Sequence, residues 1–534
     1  MDLVHNAPAT RRPRSLRTNR IEGNRMALFE SLLLLLLLAI VSLQLSRRLR
    51  VPYPAMLAVA GIGVAMLPGA PHIALDPHLV MALFIAPAIL NAAFDFPPRT
   101  LRRHWLPLVA LAVVAVLLTT AAVAWVGVAF AGLPLAAAVA LGAIVAPPDA
   151  AAAAAMLDRD GMPRTTATVL KGESLLNDAV ALLVFSAALR FVEAGDEVLA
   201  VVPQIALAIP GGLVFGIAMG RIAAVVQPLL AGTLGGIALQ FVWTFATWIF
   251  AERLGLSAIL AIVAAAMTVA HYDRQSARDR VHAFVAWDFV VFVLNVLAFL
   301  FIGLEARTIV LALDGPQLRH AAAFAGLVLA TVIGVRIVWT LIYNRLVQPV
   351  YRRLGRGDAP TLKQGIVASW CGMRGMVTLG VALALPASFP QRDLVVLAAL
   401  AVVLGTLVIQ GATLEPLIRL LRFPPDDSHG EALMRTRERL ADVACAVLAD
   451  RDDRAARTVR DELDAERREA HADPARLADI DKLRLATIRA RREALETLRR
   501  DGDVDDDVYI ELQQELDLSE IAALRRKAFD LANG

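Results

Sequence analysis

The sequence predicts an all-α polytopic membrane protein of about thirteen transmembrane helices, followed by a helical tail. Three observations predict it. First, apolar runs of spanning length recur between residues 26 and 421, in a chain of 534 residues that is 57% hydrophobic with a mean hydropathy of +0.60. A spanning helix needs about 20 predominantly apolar residues. Second, the composition changes at Arg422, and charged residues dominate from there to Gly534. Third, a few of the apolar runs carry polar and ionisable residues at mid-length. A carboxylate at that depth costs at least about 2.5–3.5 kcal/mol, so such groups should face protein or water and mark a functional site.

The leucine run Leu32–Leu38 opens the first span, at about 26–45. Further spans read at about 53–67, 77–95, 105–130, 133–157, 165–192, 197–220, 234–252, 255–270, 283–303, 319–346, 361–386 and 391–421. Loop charge orients them, because cytoplasmic loops are enriched in Lys and Arg. Loops after odd-numbered spans hold Arg47, Arg48 and Arg50; Arg99, Arg102 and Arg103; Arg159 and Arg164; Arg221; Arg274, Arg278 and Arg280; and Arg345, Arg352, Arg353 and Arg356. Loops after even-numbered spans hold only Arg253, Arg307, Arg319 and Arg392. Odd spans therefore run from outside to inside, and the tail is expected in the cytoplasm. The six arginines of residues 1–25 conflict with this orientation, since they would have to cross the bilayer. The reading that resolves the conflict takes 1–25 as a basic extension and Met26 as the working start.

Composition also excludes several functions. A net charge of +3 with a pI near 9.0 is too weak and too scattered for nucleic-acid binding. Cys371 and Cys445 lie in different regions, so neither a disulfide framework nor a zinc site is indicated. The HExxH, GxSxG and Gly-rich phosphate-loop patterns are absent from the sequence, and no cofactor is implied.

The polar residues in the apolar spans come next. Span 6 contains KGESLLNDAVALLVF, Lys171–Phe185. Residues four apart share a helix face. That pairs Ser174 with Asp178, and Glu173 with Asn177, on adjoining strips. Span 5 contains LGAIVAPPDAAAAAAML, Leu141–Leu157. Pro147 and Pro148 each remove a backbone donor, so this helix should be interrupted in mid-membrane at Asp149. A break there is tolerable only beside protein or a water-filled cavity. Counted from the cytoplasmic ends of their spans, Asp149 and Asp178 differ in depth by about 3 Å. Span 12 contains IVASWCGMRGMVTLGVALALP, Ile366–Pro386, in which Gly372 and Gly375 flank Arg374. Glycine permits unwinding, and a buried Arg requires a partner. In span 10, Asp288 and Asn295 share a face, with Asn295 read as an interhelical hydrogen-bonder. Arg336 in span 11 is read as a long side chain reaching the cytoplasmic interface.

GESLLND in span 6 and WCGMRGMV in span 12 resemble the signatures of the cation:proton antiporter superfamily, in its Na+/H+ exchanger branch. The Pro-Pro-Asp of span 5 resembles that family's interrupted helix, although here Pro precedes the Asp and Ala150 follows it. In span 3, APAILNAAFDF, Asn91 stands where related exchangers tend to have an acidic residue. Asp95 close by is read as interfacial. The resemblance covers most of residues 26–421. It implies a fold of inverted repeats in which two interrupted helices cross beside the ion site. Spans 5 and 12 are seven apart, as a pairing of spans 1–6 with 8–13 requires. It further implies exchange of a monovalent cation, Na+ first, for H+, in a homodimer in the cell (inner) membrane, without an ATP site.

Under that resemblance Asp178 is the shared carrier. Burial favours a protonated carboxyl and a bound cation favours the charged one, so cation and proton compete. Asp149, Ser174 and the backbone around Pro148 would complete the oxygen shell, placing Na+ at Asp149, Ser174 and Asp178. Asn177 would orient the site without adding charge, and the Asn-Asp pair marks electroneutral exchange. Glu173 is expected to pair with Arg374, holding span 6 against span 12. Two alternatives remain open at this point: a K+-selective or broad-specificity cation/H+ antiporter, and a membrane-embedded ion sensor with a signalling tail. The tail, 422–534, shows helical apolar spacing with acid and base interleaved, and no ligand motif.

Overall fold

The computed structural model describes residues 77–149 (apart from 95 and 97), 164–194, 198–272, 277–353, 360–423, 428–449, 453–470, 474–501 and 503–524, with helical positions scattered between 37 and 63. Among them every regular element is a helix. The chain divides into two compact units, Met1–Phe423 and Pro424–Gly534.

The first described span begins as α1 (Pro77–Val80), widens into a π-helical turn (Met81–Ile85) and continues as α2 (Ala86–Phe94). Pro87 explains the wide turn: its ring would clash with the carbonyl of Leu83 in a regular helix. The same device recurs after α3 (Pro98–Arg103). There α4 (Trp105–Leu108) holds Pro107 and a second π-helical turn, Val109–Val114, leads into α5 (Ala115–Ala131). Gly132, with φ of 62°, ends α5 in the left-handed conformation that suits glycine. Then come α6 (Leu135–Val145), α7 (Arg164–Ala194), α8 (Val198–Val226), α9 (Leu234–Arg253), α10 (Ala258–Tyr272), α11 (Ala277–Ala312) and α12 (Gly315–Arg353). Two half-helices, α13 (Leu362–Trp370) and α14 (Met376–Leu383), precede α15 (Arg392–Leu421).

Seven helices are long and apolar enough to cross a membrane, and His78–Phe94, Leu135–Val145 and Ala258–Tyr272 are shorter apolar helices. The protein is a multi-pass membrane protein. The spans expected from 77–95 onward each fall on one of these helices or on the α13–α14 pair, except that 150–157 of the span expected at 133–157 lie outside the described residues. Those expected at 26–45 and 53–67 lie for the larger part outside the described residues, and Asp95 lies outside them.

The helices pack as two bundles. In one, α8 lies along α10, and α10 also touches α9 and α2. Glycines make the close approach possible: a Cβ at Gly212, Gly216 or Gly220 would overlap Ser257, Ala261 or the Ala265–Thr268 turn of α10. This is the small-residue seam by which helices associate in lipid. In the other bundle, α6 packs on α5 and α7, while α12 packs on α5, α13 and α15. A Cβ at Gly142 would sit 2.5 Å from the carbonyl oxygen of Thr120, so α5 and α6 also meet backbone to backbone. Between the bundles, α14 touches α15 on one side and α1, the first π-helical turn and α11 on the other.

The second unit holds α16 (Ser428–Val447), α17 (Arg454–Ala470), α18 (Pro474–Asp501) and α19 (Asp506–Leu524). Asp453 caps α17 by accepting from the Ala456 N–H at 2.8 Å. α18 and α19 form a hairpin around Ile488, Leu495, Leu516 and Ala523. On its surface Arg492 donates to Asp517 at 2.5 Å and lies 2.7 Å from Glu520, contacts that raise its pKa.

Candidate functional site

The site is built where two helices stop. α6 ends at Val145, and residues 146–149 are not helical. Pro147 and Pro148 cannot donate to Ala143 and Ile144, and the Asp149 N–H turns away to bond Met373 at 2.6 Å. Carbonyls at the end of α6 are therefore left without helical partners. α13 starts with a capping box, in which Thr361 and Gln364 satisfy each other's backbone N–H groups. It stops at Trp370, and the chain runs unwound through Cys371–Gly375 before α14 begins.

Arg374 joins the two breaks. Its Nε donates to the Val145 carbonyl at 3.0 Å and an Nη to the Ala146 carbonyl at 3.1 Å; the other Nη donates to the Gly372 carbonyl. Its backbone N–H is held at 3.1 Å by the Thr406 hydroxyl of α15. The breaks thus repair each other: the first supplies an N–H to Met373, and the second supplies a guanidinium to the first. A Cβ at Gly375 would overlap the Asp149 carboxylate, so that carboxylate lies against the backbone just ahead of α14.

The pairing expected between Glu173 and Arg374 is not what the structure holds. Glu173 is clasped by Arg336 of α12, with Nη to Oε distances of 2.5 and 3.1 Å. Arg336 also donates to the Ala368 carbonyl of α13 at 3.0 Å. Both charged side chains are almost wholly buried. Arg336 therefore does not reach for the membrane interface, as its sequence position suggests; a buried carboxylate holds it inside. Its stem fills the space that Gly372 leaves, where a Cβ would overlap it. Arg374 is occupied by helix-end carbonyls, which present the negative end of a helix dipole.

Asn177, Asp149 and Asp178 lie beside the breaks. Asn177, fully buried, donates from Nδ2 to the Pro148 carbonyl at 3.0 Å. The Asp149 and Asp178 carboxylates are close enough for their charges to interact. Burial separates the set into two groups. Glu173, Asn177, Pro148 and Arg374 are buried, whereas Asp149, Ser174 and Asp178 are half-buried. Glu173, Asn177 and Arg374 are thus the more completely enclosed members of the set. Asn91 lies elsewhere, lining a mostly apolar cavity of about 210 Å³ with Trp243, Thr247, Arg280 and Phe284. Sequence reasoning missed Thr406 and the role of Arg336. A buried Thr in an apolar helix gives no signal of its own, and Arg336 could be read as snorkelling.

Comparison with known proteins gives the family and the fold. The model of the sodium/hydrogen exchanger transmembrane family matches residues 33–420. An uncharacterized Na(+)/H(+) exchanger of Mycobacterium tuberculosis is 30% identical over 91% of this chain and 94% of its own length, a match that reaches beyond residue 420 into the tail. A sodium, potassium, lithium and rubidium/H(+) antiporter of Bacillus pumilus is 28% identical over 73% of this chain and 61% of its own length. In fold, the chain resembles the sodium proton antiporter MjNhaP1 from Methanocaldococcus jannaschii, with a TM-score of 0.55, 19% identity, and coverage of 73% of this chain and 99% of that one. With a family model spanning most of its length and a relative alignable nearly end to end, the chain belongs to the sodium/hydrogen exchanger family, a family of secondary transporters and not of enzymes.

Proposed function

We propose that the protein exchanges a monovalent cation, Na+ first, for H+ by alternating access, with Asp178 carrying either ion in turn. The observation that carries this reading is the gathering of oxygen donors at the two breaks: the Asp149 carboxylate lies against the backbone ahead of α14, its charge interacts with that of Asp178, and Asn177 holds the Pro148 carbonyl. Carboxylate and hydroxyl oxygens suit a hard cation, and a single carboxylate cannot hold a proton and a cation together. Competition at that group couples the two fluxes. Asn177 holds the Pro148 carbonyl and adds no charge, consistent with one proton exchanged for one cation and no net charge moved. Loop arginines support a cytoplasmic (inner) membrane location with the tail inside. A homodimer is part of the same reading and rests on family resemblance.

A second reading, broad cation specificity, is favoured by the printed activity of the Bacillus pumilus relative. Proteoliposomes containing the purified protein, loaded with a pH-sensitive dye and challenged with Na+, K+ or Li+, test both. The first reading predicts a Na+-driven pH change that Asp178→Asn abolishes. Full exchange by Asp178→Asn would remove Asp178 as carrier, and equal responses to all three cations would favour broad specificity.

A further inference from the structure

Between the ion site and one membrane face, the two bundles meet along α14. The seam is apolar. Val80 of α1 and Phe84 of the π-helical turn after it, Leu294 and Ala298 from α11, and Met376 of α14 with Ala384 just past its end form one buried cluster. Phe84 and Phe301 close it edge to face, with ring centroids 6.3 Å apart. The seam starts at Met376, the residue after the Gly375 that abuts Asp149, and runs the length of α14, about 12 Å. The side chains of this cluster are all apolar and offer a cation no ligand.

Beyond its far end lies an ion pair that spans the bundles. Arg392, the first residue of α15, places an Nη 2.7 Å from Glu305 in the last part of α11. The same guanidinium donates from Nε to the Leu385 carbonyl at 3.0 Å, which ties it to the connection after α14. Both side chains are a fifth to a quarter exposed, so the pair sits at the mouth and not in the core. Arg392 is thus held by its own bundle and reaches across to the other. In the orientation given by the loop arginines, Pro77, the end of α11, the end of α14 and the start of α15 all lie on the outer face.

We propose that Glu305 and Arg392 form an outer gate, latching α15 to α11 over the apolar seam, so that the path from Asp149 and Asp178 to the outside opens only when this pair breaks. The gate rests on the exchange reading above, because only an alternating-access cycle requires the seam to part. A carrier whose bundles slide apart must exchange this contact for water in every cycle. A partly exposed pair suits that task, being weak enough to break and specific enough to reform.

The test uses the full-length chain in right-side-out vesicles. Leu294→Cys, in a background with Cys371 and Cys445 replaced by Ser, is labelled with a membrane-impermeant maleimide. Labelling is compared in the native pair, Glu305→Gln, Arg392→Gln and the exchanged pair Glu305→Arg/Arg392→Glu. The gate predicts slow labelling in the native pair, a several-fold faster rate in each single variant and a return toward slow labelling in the exchanged pair. Thermal unfolding of the same samples separates gating from structure. Single variants that lose stability with no change in labelling overturn the gate, and so does fast labelling in the native pair. Na+-driven pH change in the parent protein is measured alongside. If the parent exchanges ions and labelling is indifferent to the pair, the gate fails and the exchange reading stands. If the parent does not exchange, the reading fails whatever the labelling shows.

Discussion

The helix end at 146–149 and the break at 371–375 are made by opposite chemistry. The first, at 146–149, is broken by prolines, which delete donors and leave carbonyls over. The second, at 371–375, is broken around glycines, which leave room for side chains against the backbone. Each break is served by a buried arginine from outside it. Arg374 serves the first, neutralised by the carbonyls it binds. Arg336 serves the second through Ala368 and the space at Gly372, and its charge is matched by Glu173. The difference teaches that a buried cation can be held by helix-end dipoles or by a carboxylate, and that removing it has different consequences in the two cases.

The largest effect is expected at the second break. Arg336→Met leaves Glu173 buried and charged without its partner, a loss of about 3–5 kcal/mol. Glu173→Met/Arg336→Met removes both charges and should recover most of that loss. A double-mutant cycle by thermal unfolding in detergent checks the pair, and additive single effects would break the comparison. Arg374→Met should be milder, since it leaves under-satisfied carbonyls and no bare charge, at about 1–3 kcal/mol. Combining it with Glu173→Met should show much weaker coupling than the Arg336 pair does. The smallest effect on stability is expected from Gly375→Ala, whose methyl must displace the Asp149 carboxylate. Its signature is a raised KM for Na+ in the exchange assay, with the unfolding temperature changed less than in either arginine variant. An unchanged KM would mean that the seat of Asp149 is immaterial to cation binding.

These contrasts also show how far the sequence reaches. Asp149, Asn177, Asp178 and Arg374 stand out because each is polar within an apolar run, and a bilayer makes such residues costly. The breaks stand out because proline and glycine act locally, on the backbone beside them. The partner of Glu173 does not, because pairing depends on which helix face meets which neighbour, and two arginines in apolar spans competed for it. Arg336 lost its signal to a side chain long enough to snorkel. The glycines at 212, 216 and 220 repeat every four residues, and only the packing identifies α10 as the helix they meet. The wide turns before and after Pro87 and Pro107 were likewise implicit in single residues. Fold class followed from composition and run length, properties that do not depend on who packs against whom.

The central claim, that one carboxylate carries cation and proton alternately, is tested most directly by counting protons released on cation binding. Purified protein in weakly buffered detergent solution is titrated with Na+, while bound Na+ is followed calorimetrically and released H+ with a pH indicator. The account predicts about half a proton released per Na+ bound at the midpoint of Asp178 titration, rising toward about one at lower pH, and neither event in Asp178→Asn. Na+ binding without proton release at any pH, or undiminished proton release by Asp178→Asn, would contradict it.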